Sequence, residues 1–216
     1  MLPNLIVPTL NRYDLLEKMI ESIDYSVAHL LIIDNGGQLK SVPKNPDVRK
    51  VTILNMPANL GCSSSWNLGI KMFPKHDRWF IVSDDVTFEP GALKAWHKAS
   101  TRNNFVISDE WPFFQFMAIG DKVVEKVGLF DEAIHPANWE DDEYEWRLKQ
   151  HGYTPEKISI PHGHTKQGTV FSTSDFRKRN KITYDSNEQY VKDKIASNDI
   201  SSGEWQLKRR RDNSWD

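Results

Sequence analysis

Four short apolar runs, separated by stretches of helical periodicity, limit the folds open to this chain. The runs are 5–7, 30–33, 51–54 and 79–82. The first stops at Pro8, the second at the Asn35-Gly36-Gly37 turn and the fourth at Ser83-Asp84-Asp85. Between the first two, Leu15, Leu16, Met19, Ile20 and Ile23 recur at helical spacing over 14–23, and 63–73 reads as a second helix. Such alternation predicts an α/β fold with a mostly parallel sheet covered on both faces. Sheets of this kind bind ligands beyond the carboxyl ends of their strands. Pro8-Thr9, Asp34-Asn35 and Asp84-Asp85 all fall at such ends, and three polar clusters there point to a nucleotide site.

The second half is less regular. Pro90-Gly91 starts a helix to about residue 100, strands are expected at 105–108 and 113–119, and a short helix spans 121–127. A helix over 141–150 stops at Gly152, and 158–160 reads as a strand ending in a His162-Gly163-His164 turn. Residues 174–197 are polar and helical, and the segment 198–216 is a polar, basic tail expected to be mobile. With 216 residues, 38% of them hydrophobic, the chain suits one compact domain. Its 28 Lys and Arg against 30 Asp and Glu exclude the positive field of a bulk nucleic-acid binder. Cys62 is the only cysteine, which excludes a disulfide framework and a CxxC zinc site and agrees with a reducing, cytoplasmic setting. The first residues lack the pattern of a secretion signal or anchor, and no run approaches the roughly 18 apolar residues of a membrane span.

Adjacent carboxylates such as Asp84-Asp85 repel one another unless a cation or hydrogen-bond donors stand near. A divalent ion bridging a diphosphate fits that need, and an ordinary polar turn is the competing reading. The cluster Glu140-Asp141-Asp142-Glu143 opens a helix, whose N-terminus favours the anion and leaves a carboxylate able to take a proton; plain helix capping explains the same residues. Arg147 stands one turn beyond Glu143 and reads as its partner. His162 and His164 are imidazoles that could join carboxylate and phosphate oxygens around Mn²⁺, or else surface histidines. The stretch Asn59-Leu60-Gly61-Cys62-Ser63-Ser64-Ser65-Trp66-Asn67 permits close backbone approach at a helix entry but lacks the ending of a P-loop. Lys208-Arg209-Arg210-Arg211 is a solvated tail or a contact for an anionic partner.

Taken in order, these segments resemble family 2 glycosyltransferases of the GT-A fold over about residues 5–164. IVPTLNR, LIIDNGG, NLGCSSSWNLGI, IVSDDV and VEKVGLFDEAI followed by EDDEYEWRLKQHGY carry the resemblance. It implies one GT-A domain over 1–197, with a Rossmann-like nucleotide-sugar-binding half at about 1–100 and an acceptor half at about 101–170. It further implies an inverting transfer of a sugar from a nucleotide-diphosphate donor, UDP first, to a hydroxyl of a glycan, a protein or another acceptor, with Mn²⁺ or Mg²⁺. Pro8, Thr9, Asn11, Arg12, Asp34, Asn35, Asn59, Gly61, Asn67, Asp84 and Asp85 would line the donor. Asp85 with His164 or His162 would hold the metal, and Asp141 would be the general base. Glu140, Trp111 and Trp139 are candidates for the acceptor, with Phe113, Phe114 and Phe116 as further sugar platforms. The departures are Trp66 where an arginine is frequent, Glu143 where Asp is usual, and Asp-Asp-Val in place of Asp-x-Asp. A nucleotidyltransferase is the alternative enzyme, although 8–12 lacks the glycines it needs; a non-catalytic nucleotide-sugar-binding module is the other.

Overall fold

A computed structural model describes residues 1–164 and 174–202. The strands are β1 (Leu5–Thr9), β2 (Leu30–Asp34), β3 (Val51–Asn55), β4 (Arg78–Val82), β5 (Val86–Phe88), β6 (Phe105–Ser108), β7 (Phe116–Gly120), β8 (Glu156–Ile158) and β9 (His162–His164). The helices are α1 (Tyr13–Glu21), α2 (Gly61–Met72), α3 (Ala92–Ala99), α4 (Asp121–Val127), α5 (Glu140–Gln150) and α6 (Ser174–Ala196). Seven strands form one sheet in the order β3-β2-β1-β4-β7-β6-β8, and β5 pairs with β9 in a separate two-stranded sheet. Only β7 runs against the other six strands of the large sheet, because it is antiparallel to both β4 and β6.

The apolar runs of β1, β2 and β4 are buried on both faces, as a parallel sheet with helices on each side requires, whereas the edge strand β3 is half-exposed. Successive side chains of a strand point to opposite faces. Leu5, Val7, Leu30, Ile32, Phe80 and Val82 accordingly pack with Leu16, Met19 and Ile20 of α1 and Leu93 and Trp96 of α3. Ile6, Leu31, Ile33, Trp79 and Ile81 pack on the other side with Ile70 of α2, Val123 and Val127 of α4, and Tyr144 and Leu148 of α5. Helix α2 lies close on β1, since a methyl group at Gly69 would come within 2.4 Å of the Ile6 side chain. Pairing of β1 with β4 is centred on Ile6 opposite Ile81, and beyond it Pro8 has no N–H with which to extend the ladder.

Three expectations need correction. The strand expected over 113–119 begins with a 3-10 turn, Phe113–Gln115, because Gln115 folds back and donates from Nε2 to Ser108 Oγ at 2.9 Å. The strand expected at 158–160 is β8, shifted to Glu156–Ile158 by its register with Val106–Ser108. The His-Gly-His segment is a strand rather than a turn, because it completes the ladder of β5. No described helix is long and apolar enough to cross a membrane. The Lys208–Arg211 run lies outside the described residues.

Candidate functional site

The carboxyl ends of β1, β2 and β4 meet as expected. Thr9 Oγ1 donates to Asp84 Oδ2 at 2.6 Å, and Thr9 lies in register with Asp34. Burial pushes the Asp84 carboxyl up to about 7, with the charge of Asp85 in the same direction and the Thr9 hydroxyl opposing both. Asp34 is fully buried and holds its own loop together: it accepts from the amides of Gly36 at 2.9 Å, Gln38 at 2.7 Å and Leu39 at 2.8 Å, and from the Tyr13 hydroxyl. The loop tolerates no side chain at Gly37, where φ is +69° and a Cβ would stand 2.5 Å from the Met56 carbonyl oxygen. Asn35 turns away from that loop and ties β2 to the helix entry, donating to Ser65 Oγ and accepting from the Leu60 amide, each at 3.0 Å. Pro8 sits half-buried, Asn11 is exposed with φ +59°, and Arg12 pairs with Asp14 at 2.9 Å while feeling the charges of Asp84 and Asp85.

The small sheet brings His164 to the same place. Val86 is opposite His164 in the β5–β9 ladder, so the residue before β5 stands beside the end of β9. His164 Nε2 is 3.3 Å from Asp85 Oδ1, and its other ring nitrogen is buried with no partner among the described residues. His162 is not part of this pair. Its register partner is Phe88, its ring lies edge-on to Phe116, and Nδ1 donates to the Ile160 carbonyl at 2.5 Å. Among the described residues no group of three or more His, Cys, Asp or Glu is placed to hold a metal. A carboxylate oxygen beside an imidazole nitrogen does suit Mn²⁺ or Mg²⁺ whose remaining ligands are diphosphate oxygens and water.

The second acidic group is joined to the first through α2. Asn59 Oδ1 accepts from the Gly61 amide at 2.9 Å, and the Cys62 amide donates to the Pro136 carbonyl at 2.7 Å. Gly61 has φ +75°, and a Cβ there would come within 2.5 Å of the Pro136 carbonyl oxygen, so the two backbones touch. Asn67, expected at the donor, is buried beneath this contact: its amide nitrogen donates to Phe130 O and Glu132 Oε1, both at 2.9 Å, and its oxygen accepts from the Phe130 amide. The Cys62 thiol feels the charges of Glu140, Asp141 and Asp84 together, so the first turn of α2 stands near both acidic groups.

Helix α5 starts under strain. Asn138 and Trp139 both have left-handed backbones, with φ +77° and +75°, a conformation that costs a non-glycine residue on the order of 1 kcal/mol. Burial, and then the charge of Asp141, pushes the Glu140 carboxyl up to about 8. Burial, and then the charge of Asp142, pushes Asp141 up to about 6. The helix terminus was expected to favour the anion of Asp141; burial opposes it and raises the carboxyl, which is still mostly ionised at neutral pH. Glu140 Oε2 and Trp139 Nε1 are buried without a partner among the described residues, and orphaned polar atoms of this kind call for a ligand or water. Further along, Arg147 is fully buried and forms a two-pronged pair with Glu143 one turn back, at 2.5 and 2.9 Å, while donating to the Val127 and Leu129 carbonyls. Lys194 of α6 also reaches Glu143, at 2.9 Å, and pairs with Asp131.

The expected aromatic platforms separate. Trp111 is 56% exposed, and Trp139 packs edge-on against Tyr184 with ring centres 5.7 Å apart. Phe114 and Phe116 belong to the core, and Phe113 lies under the Lys157 ammonium. Sequence reasoning missed the contribution of α6, whose signal was a stripe of Asn180, Tyr184, Asn187, Val191 and Lys194 at helical spacing.

Solved structures share this architecture. A Drosophila β1,4-galactosyltransferase 7 mutant, in complex with manganese, UDP-Gal and xylobiose, matches with a TM-score of 0.56 at 10% identity over 78% of this chain and 72% of that one. The catalytic domain of the Drosophila enzyme in complex with xylobiose matches with a TM-score of 0.56 at 11% identity, over 79% of this chain and 72% of that one. TarS of S. aureus matches with a TM-score of 0.53 at 12% identity, over 79% of this chain and 38% of that one. No curated protein matches the chain significantly in sequence. The family model for glycosyl transferase family 2 matches residues 4–128, more than half of the chain and every element from β1 to α4. The chain therefore belongs to glycosyl transferase family 2, and it is a glycosyltransferase with a GT-A fold.

Proposed function

We propose that the protein transfers a sugar from a UDP-sugar to a hydroxyl acceptor with inversion, aided by Mn²⁺ or Mg²⁺. The observation that supports this reading is the placement of His164 Nε2 3.3 Å from Asp85 Oδ1 beside the buried Asp84, with the charges of Asp84, Glu140 and Asp141 all felt at Cys62 in the first turn of α2. In this reading the end of β4 and the start of α5 face one bound donor, as attack on it requires. Thr9, Asn11 and Arg12, with the loop that Asp34 organises, hold the nucleotide. Asn35, Asn59, Gly61 and Asn67 build the wall behind it. Asp84, neutral or ionised near pH 7, takes a hydroxyl of the ribose or sugar. Asp85 and His164 would hold the ion, which would supply positive charge to the departing diphosphate.

Asp141 takes the proton of the acceptor hydroxyl as the acceptor oxygen bonds the anomeric carbon and the bond to the diphosphate breaks. Its value of about 6 leaves it mostly ionised at neutral pH yet basic enough to accept that proton. Glu140, at about 8, keeps its proton near neutrality and can donate a hydrogen bond to a sugar oxygen. Trp139 and the exposed Trp111 offer rings and an indole N–H to the acceptor.

A binding screen of UDP-, dTDP- and GDP-sugars with and without Mn²⁺, followed by thermal unfolding, tests the reading. A rise in unfolding temperature that needs both a UDP-sugar and the metal supports it. Stabilisation by no nucleotide sugar, or by all of them equally in chelator, contradicts it.

A further inference from the structure

Helix α6 lies beyond the segment that the family model matches, yet its inner face lands on the loop that leads into α5. Asn187 is 5% exposed, and its amide nitrogen donates to the carbonyls of both Ala137 and Asn138, each at 3.1 Å. The Asn138 side-chain nitrogen Nδ2 donates to Asn180 Oδ1 at 2.8 Å. The Tyr184 ring meets Trp139 edge-on. Val191 is fully buried, and Lys194 binds Glu143 in the first turn of α5. These five residues are spaced alternately four and three apart, so they form one face of the helix. The opposite face holds Ile182, 72% exposed.

The contacts fall on the two residues whose backbones are left-handed, immediately before Glu140 and Asp141. A bulky residue such as Trp139 stays in that conformation only where its surroundings over-determine it. On one side the first turn of α2 touches Pro136. On the other, the only side-chain donor to the Ala137 and Asn138 carbonyls among the described residues is Asn187. We infer that α6 is a clasp that fixes the Asn138–Trp139 backbone and thereby the position of Asp141, with Asn187 as its positioning residue. This rests on the base role proposed for Asp141. The clasp acts on orientation, so it affects the turnover of a bound donor more than donor affinity.

The test compares full-length wild type with Asn187→Leu, which keeps volume but removes both hydrogen bonds, with Asn180→Ala as a second variant and Ile182→Ala as the outer-face control. Amide hydrogen exchange is read over 138–143, where the Glu143 amide donates to the Trp139 carbonyl at 3.1 Å. UDP release is read with UDP-glucose and UDP-galactose in Mn²⁺. The clasp predicts exchange in 138–143 faster by about tenfold in Asn187→Leu, a smaller rise in Asn180→Ala and no change in Ile182→Ala. It also predicts kcat lower by about tenfold or more in Asn187→Leu, with the donor KM within about threefold. Unchanged exchange in both asparagine variants overturns the clasp, and this arm needs no substrate. Faster exchange with unchanged kcat overturns the positioning role. A slow Asn187→Leu beside a fully active Asp141→Asn supports the clasp and removes the base role instead.

Discussion

Replacing Asp84 with Asn should flatten the pH dependence of stability. Asp84 is a buried carboxyl raised from 3.8 to about 7, chiefly by desolvation. The folded state therefore keeps a proton that the unfolded chain has already released. Stability from this group is complete below the unfolded value and is lost as pH rises through the folded one. The full loss corresponds to about 4 kcal/mol, and the part that falls between about pH 5.5 and about pH 8.5 is about 2 kcal/mol. An amide at this position still accepts from the Thr9 hydroxyl but never ionises. Glu140 and Asp141 titrate alike in both proteins and cancel in the difference. Urea unfolding in chelator, at the two pH values, measures it. Wild type should lose about 2 kcal/mol more than Asp84→Asn on going to the higher pH. Parallel pH dependences in the two proteins would refute the reasoning, since Asp84 would then titrate as it does in water.

Three further outcomes follow from the geometry. His164→Ala should abolish stabilisation by Mn²⁺ in the presence of UDP whereas His162→Ala retains it, because only His164 stands 3.3 Å from Asp85; calorimetric titration of the metal decides between them. Arg147→Ala removes one of the two cationic partners of Glu143, leaving Lys194 at 2.9 Å, and orphans two carbonyl groups in the interior; it should cost about 3 kcal/mol in denaturant unfolding. Gly61→Ala forces a Cβ toward the Pro136 oxygen at φ +75° and should cost about 1–3 kcal/mol in thermal unfolding, with a larger loss of transfer than a surface substitution of equal cost.

The legible part of this protein is the part governed by local pattern. Runs such as Leu30 to Asp34 are apolar on both faces, so their burial and the polar residues at their ends follow from the letters alone. The Arg147–Glu143 pair follows from helical spacing. What escaped depends on distant pairing. Strands β5 and β9 have three residues each, and His-Gly-His carries no strand signal; only the ladder between them shows why His164 and not His162 meets Asp85. The polar stripe on α6 reads as a solvated surface until the loop at Asn138 is placed against it. The upward shift of Asp141 comes chiefly from desolvation, and its charge is felt at Cys62 some eighty positions earlier in the chain, neither of which periodicity reports. Asn67 shows the converse, since a motif position that reads as a ligand contact is occupied by a cross-link to Phe130 and Glu132.

The role given to Asp141 is tested most directly by pairing donor binding with initial rates. A base acts chiefly in the transition state, so its loss lowers turnover more than affinity. In Asp141→Asn, calorimetric binding of the UDP-sugar should stay within a few-fold of wild type while transfer falls by roughly 10²-fold or more. The wild-type rate should itself decline as pH falls through about 6, where Asp141 gains its proton, and the residual rate of the variant should not follow that decline. Near-normal transfer by Asp141→Asn, with the acid limb of the wild-type profile intact, would contradict the account and move the base to another carboxyl of the cleft.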